Sequence, residues 1–143
     1  MPLACWSIRG IMAENEPKDT NPKTQYGLQK PSIGLIPPVA LLHEAAAMMN
    51  GAQKYGAFNW RGSPVSASTY VHAALRHLLS YWDGEEFDTD PKTGAVVHHL
   101  GAARACLGIL LDARSLGHLV NDRPLAGDTA GLIRHFTNHG RLP

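Results

Sequence analysis

Imidazole is both a common metal ligand and the side chain that carries protons near neutral pH. Eight histidines stand in these 143 residues, and five of them are His72, His77, His98, His99 and His118. Each of them, taken singly, fits an ordinary surface position as well as a functional one. His98 and His99 are neighbours, and adjacent helical residues point about 100° apart, so only one can face a shared site. His99 lies on the side of Ala102 and Ala103 and is the inward one, either a ligand or a neutral core histidine bonded to a carbonyl. His72 and Arg76 are four residues apart and share a face, with His77 turned away from them. The Arg76 fork suits a phosphate oxygen, although a solvated polar face has the same spacing.

Carboxylates supply the complementary chemistry. Glu44 follows His43 among Ala and Met, where a buried carboxylate is costly unless a metal or a basic group partners it. At the solvent edge of a helix start the same charge is favourable. Glu85, Glu86, Asp88 and Asp90 repel one another unless a cation sits between them, and hard divalent ions take such oxygen ligands. A solvated acidic loop is the plainer alternative. Lys54-Tyr55-Gly56 and Asn59-Trp60-Arg61 complete the inventory. Lysine and arginine hold phosphates, asparagine reads a base edge and a ring stacks on one. Trp60 alone would also serve as a core anchor.

These residues need helices to position them. Residues 1–36, with Pro2, Pro17, Pro22 and Pro31, read as an irregular arm. A helical core follows over 37–116, then a loop and short helix over 117–143. Pro37-Pro38 start the first long helix. Leu41, Leu42, Ala45, Met48, Met49 and Ala52 recur along it, and Gly56 stops it. Ser66 or Ser68 caps a second, with the stripe Val71, Leu75, Leu78 and Trp82. A third spans about Val97 to Arg114, with Leu100, Ala103, Leu107, Leu110 and Leu111 as its buried face. Asp128 caps a short fourth, whose apolar side is Leu132, Ile133 and Phe136. No strand pattern of useful length appears. The expectation is an all-α bundle of three to four main helices. Such helices bury little alone, so self-association should complete the bundle.

Composition narrows the partners. Thirteen Lys and Arg against twelve Asp and Glu give a net charge of +1, which argues against nucleic acid as a main partner. No apolar run is long enough to span a bilayer, and no signal pattern opens the chain. Cys5 and Cys106 make no disulfide framework, and Cys106 reads as a buried thiol in a reducing compartment. A cytoplasmic protein is expected. Phosphate-binding-loop, Gly-x-Gly-x-x-Gly, His-Asp and Gly-x-Ser-x-Gly motifs are all missing.

The run Ile36-Pro37-Pro38, Glu44, Gly51, Lys54-Tyr55-Gly56, Asn59-Trp60-Arg61, Ala74-Leu75-Arg76-His77-Leu78, Trp82-Asp83-Gly84-Glu85, Asp88, Gly94, His99-Leu100 and Leu110-Leu111-Asp112 resembles the dATP/dGTP diphosphohydrolases of bacteriophages. Their MazG-like members are called MazZ. The likeness covers roughly residues 33–113. It implies a small all-α MazG-type pyrophosphohydrolase that cuts between the α and β phosphates of purine deoxynucleoside triphosphates. The products would be a deoxynucleoside monophosphate and pyrophosphate. In a phage that replaces adenine with 2-aminoadenine, such an enzyme would supply dGMP for dZTP synthesis and deplete dATP.

The chain departs from the MazG pattern. The Glu-Glu-x-x-Glu helix is reduced to His43-Glu44-Ala45-Ala46-Ala47. The later Glu-x-x-Asp has two counterparts, Glu85-Glu86-Phe87-Asp88 by its letters and His99-Leu100-Gly101-Ala102 by its position. The resemblance therefore implies a mixed shell of Glu44, Glu85, Asp88 and His99 around Mg²⁺ or Mn²⁺, with Co²⁺ a further activator. His77 would orient a ligand from behind. Glu44, Lys54 and Arg76 would be catalytic. Lys54, Tyr55, Asn59, Trp60, Arg61 and Arg76 would bind substrate in a dimer or tetramer. A nucleotide or metal sensor that does not turn over, and a hydrolase that releases tripolyphosphate, are the competing readings.

Overall fold

The computed structural model describes residues 18–140. Residues 1–17 and 141–143, with Pro2, Cys5 and Pro17 of the expected arm, lie outside the described residues. The chain divides after Ile36 into two compact units. The described part of the first is largely irregular but holds one short helix, α1 (Pro22–Gly27), and a 3₁₀ turn at Ile33–Leu35. Local chemistry accounts for α1: Asn21 caps it through its side chain, and proline occupies the first turn, where no N–H is needed.

The second unit is mostly helical, as the apolar periodicities predict. α2 (Pro38–Tyr55) ends at Gly56, whose φ of 88° is left-handed and suits glycine. α3 (Asn59–Gly62) is a single turn entered through Phe58, which adopts φ 56°. β1 (Val65–Ser66) leads into α4 (Ala67–Trp82), and a hairpin of β2 (Phe87–Thr89) and β3 (Val96–His98) leads into α5 (His99–Ser115). β4 (Leu119–Val120) pairs with β1 in parallel, and α6 (Thr129–His139) follows. Asp128 caps α6 by accepting from Gly131 N–H at 3.1 Å. The strands are two or three residues long, too short to print a period-two pattern in the sequence. Among the described residues no helix is long and apolar enough to cross a membrane.

α5 is the central element and packs on both α2 and α4. The contact is made by small residues. Ala67, Ala74, Ala102, Ala103, Ala105 and Ala113 are buried, together with Val97. Gly101 lies so close to α2 that a Cβ there would strike the His43 carbonyl. This corrects the expected faces. Leu107 and Leu111 of α5 and Leu75, Leu78 and Trp82 of α4 are exposed in the single chain, as are Leu41, Leu42 and Met49 of α2. Alanine and glycine let helix backbones approach closely, and the bulky residues then point the other way. Nor does Ser66 cap α4 with its side chain. Asp122, beyond β4, does that work from a distance, accepting from the Ser68 N–H at 2.8 Å and from its hydroxyl.

Candidate active site

The hairpin brings the acidic segment to the start of α5. Asp88 lies opposite Val97 in the antiparallel register. The His99 N–H donates to the Glu86 carbonyl at 2.9 Å, which ties the first turn of α5 to the hairpin. One residue in the turn locks the whole to α2. Asp90 is buried and accepts from Lys92 N–H (2.9 Å), Thr93 N–H (3.3 Å), Asn50 Nδ2 (2.9 Å) and Lys54 Nζ. Asn50 in turn accepts from the Thr93 hydroxyl at 2.6 Å. The Lys54 ammonium and the other donors hold the Asp90 carboxyl far below the usual carboxylate range. The same bond raises the Lys54 pKa.

Against this frame His77 from α4, Asp88 from β2 and His99 from α5 offer ligand atoms that all lie within 4.8 Å of one another. The His77 and His99 Nδ1 atoms face each other at 2.9 Å. Burial, then the neighbouring His99, lowers the His77 pKa, so its ring is neutral at neutral pH and has a lone pair to give. His99 is 4% exposed, and its Nε2 makes no hydrogen bond. Glu85 Oε2 stands 3.3 Å from that nitrogen without the geometry of a bond. Two imidazole nitrogens facing each other beside a carboxylate fit a divalent ion of transition-metal character.

His77 and Asp88 also line a cavity of about 610 Å³ between α2, the α3 loop, α4 and α5. Its walls are largely apolar, with Met48, Ala102, Ala105 and Ile109 on two sides. Lys54, Tyr55, Asn59 and Trp60 line it as well. So do Tyr70 and Cys106, which sequence reasoning did not place at the site. Burial raises the Tyr70 pKa and keeps its hydroxyl protonated as a donor, and it pushes the half-buried Cys106 thiol up too.

Glu44, Arg61 and Arg76 do not line this cavity. Glu44 stands outside the His77–Asp88–His99 group and accepts from Arg104 Nε at 3.1 Å and Nη2 at 2.9 Å. Arg76 is exposed on α4 beside Leu79, Ser80, Trp82 and Asp83 and does not line the cavity, although its charge reaches His77 and Cys106. Arg61 and Trp60 both donate to Asp112: the indole N–H at 2.6 Å, Arg61 Nε at 2.8 Å and Nη2 at 3.0 Å. These donors lower the Asp112 pKa, Arg61 foremost. His98 caps α5, its Nδ1 accepting from Leu100 N–H at 3.1 Å, and its ring sits among His43, Tyr81 and Phe87.

Two structural partners had a trace in the sequence. Asn50 and Lys54 are four apart on one helix face, the spacing at which two side chains reach a common acceptor. Asp112 closes the Leu110-Leu111-Asp112 run, but nothing in one sequence pairs it with a loop some fifty residues away.

No curated protein and no solved structure matches the chain. The family model described as dATP/dGTP diphosphohydrolase, N-terminal, matches residues 20–123, most of the chain and all of the cavity. With that match the chain belongs to the dATP/dGTP diphosphohydrolase family.

Proposed function

We propose that the chain hydrolyses a purine deoxynucleoside triphosphate to the monophosphate and pyrophosphate, with a divalent ion held by His77, Asp88 and His99. The carrying observation is that two of these ligands line a cavity of about 610 Å³ with Lys54 close by. That volume is in the range of small-molecule sites, roughly 300–1,000 Å³. A divalent ion there, Mn²⁺ or Co²⁺ alongside Mg²⁺, would neutralise the triphosphate and lower the pKa of a bound water. In the reaction water adds to the α-phosphorus, the α–β anhydride bond breaks and pyrophosphate leaves.

The chain's own residues do the rest. Lys54 keeps N–H groups beyond the one given to Asp90 and turns them to phosphate oxygens. The apolar wall takes the deoxynucleoside, and Asn59 and Tyr70 supply polar contacts to base and sugar. Trp60 and Arg61 brace the loop through Asp112 and shape the cavity edge. The protein acts as a homo-oligomer. On the resemblance set out above, its dGMP would feed 2-aminoadenine nucleotide synthesis in a phage.

The test is to incubate the protein with each of the four deoxynucleoside triphosphates and Mn²⁺ or Mg²⁺, then resolve the products. Pyrophosphate with dGMP or dAMP is expected, and His99→Ala should abolish both. Tripolyphosphate, or nucleotide binding without turnover, would overturn the reading in favour of a different hydrolase or a sensor.

A further inference from the structure

Glu85 is expected from the sequence to be a metal ligand, yet it stands outside the group formed by His77, Asp88 and His99. It faces the other side of the His99 ring. The Nδ1 of His99 meets His77 Nδ1 at 2.9 Å, while Nε2 lies 3.3 Å from Glu85 Oε2. That Nε2 is buried and has no hydrogen-bond partner among the described residues, Glu85 included. An orphaned buried N–H costs about 1–3 kcal/mol, so a carboxylate within reach of it has a stabilising part to play. The backbone holds Glu85 in place. Its N–H donates to the Ser80 carbonyl at 3.0 Å, and the next residue's carbonyl accepts from His99 N–H at 2.9 Å.

We infer that Glu85 is a positioning residue of this metal centre. A small rotation of its exposed carboxylate lets it accept the Nε2–H of His99, which fixes that tautomer and turns the His99 Nδ1 lone pair toward an ion shared with His77 Nδ1 and Asp88. The inference rests on the metal site proposed above. It follows that the first shell holds two nitrogens and one carboxylate. Such a set selects Mn²⁺, Co²⁺ or Zn²⁺ over Mg²⁺, which prefers oxygen ligands and retains its waters. In the metal-free protein the two facing Nδ1 atoms share one proton, given by His77. When an ion binds, that proton moves to His77 Nε2, the ring stays neutral, and the two Nδ1 lone pairs meet the ion in place of each other.

The full-length protein is titrated with Co²⁺ and followed by visible absorption. Ring nitrogens are read by ¹⁵N NMR with and without Zn²⁺. Expected are an Nε2–H tautomer of His99, a Zn²⁺-induced shift at Nδ1 of both histidines, and Co²⁺ that excess Mg²⁺ does not displace. Glu85→Ala should weaken Co²⁺ binding by about 10–100-fold with unchanged circular dichroism, since Glu85 is 62% exposed. Glu86→Ala should bind Co²⁺ as the wild type does. A Zn²⁺ shift at His99 Nε2, or wild-type Co²⁺ affinity in Glu85→Ala, would overturn the role of Glu85 and leave the metal site standing. Ready displacement of Co²⁺ by Mg²⁺ would overturn the nitrogen-rich shell. A wild type that binds no Co²⁺ removes the site and the inference together. One that binds Co²⁺ as described but hydrolyses no deoxynucleotide overturns the proposed reaction alone.

Discussion

Asp90 gathers two side chains of α2 and two backbone N–H groups of its own turn, so its charge state governs how the hairpin sits on the helix. Its folded pKa is depressed, so the stability it contributes is present above the ordinary carboxylate pKa, about 3.9. That stability is lost as pH falls through the folded value. Lys54 has the opposite sign. Its folded pKa is raised, so its contribution is present below the ordinary lysine value, about 10.4, and is lost as pH rises through the folded one. Urea-unfolding midpoints should therefore hold level between those limits as far as this pair is concerned. Asp90→Asn should be less stable within that window and should lose part of the wild-type drop in acid. A mutant whose acid limb matches the wild type would mean that other carboxylates carry it. At this scale the sequence shows which groups can do chemistry but not with whom. Glu44 and Trp60 each have a functional and a structural reading in the sequence and Arg61 a functional one, and in the structure they meet Arg104 or Asp112, residues some fifty to sixty positions away. His99 was legible as inward because helical spacing alone sets it beside Ala102 and Ala103.

Among the elements, α5 sets the geometry of the site. It carries His99 and the Ala102, Ala105, Cys106 and Ile109 wall, and it lies against α2 at Gly101. A Cβ at Gly101 meets the backbone of His43, which cannot step aside, so the helices must separate. Gly101→Ala should cost about 1–3 kcal/mol, the usual penalty of overpacking. Gly108→Ala meets the ends of two flexible side chains, Glu44 Oε1 at 3.0 Å and Met48 Cε at an ordinary 3.7 Å. That carboxylate can shift, and the gain in helix propensity, up to about 1 kcal/mol, offsets the crowding. Chemical denaturation of the two variants checks this, and equal losses would show that the α2–α5 contact is not the tight one. The long helices were legible because their periodicity persists over several turns and their ends carry proline, aspartate or glycine. The hairpin was not. Its strands are too short to alternate visibly, and Asp90-Pro91 and Thr93-Gly94 disclose a turn without saying what it joins.

For the molecule as a whole, the inversion of the apolar faces is the fact that needs a cause. Alanines fill the interior of the second unit. Leu75, Leu78 and Trp82 stand 49%, 41% and 88% exposed along one stripe of α4, and Leu111 of α5 is 73% exposed. At about 25 cal/mol per Å² of apolar surface, leaving such stripes in water forgoes much of what a chain of this length can gain from burial. Monomers rarely present contiguous apolar patches of this kind. A second copy is the occupant that three amphipathic helices, too few to bury these stripes alone, call for. A stable interface of that kind buries about 1,200–2,000 Å² in total, which two helix stripes can provide. Light scattering on the eluting protein should give a mass two or four times that of the chain. The double variant Leu75→Arg, Leu78→Arg should shift it toward the monomer and lower the unfolding temperature at a given concentration, because association adds stability by mass action. A wild type that elutes as a monomer at micromolar concentration would defeat the prediction. So would a double variant with unchanged mass, which would move the interface off α4.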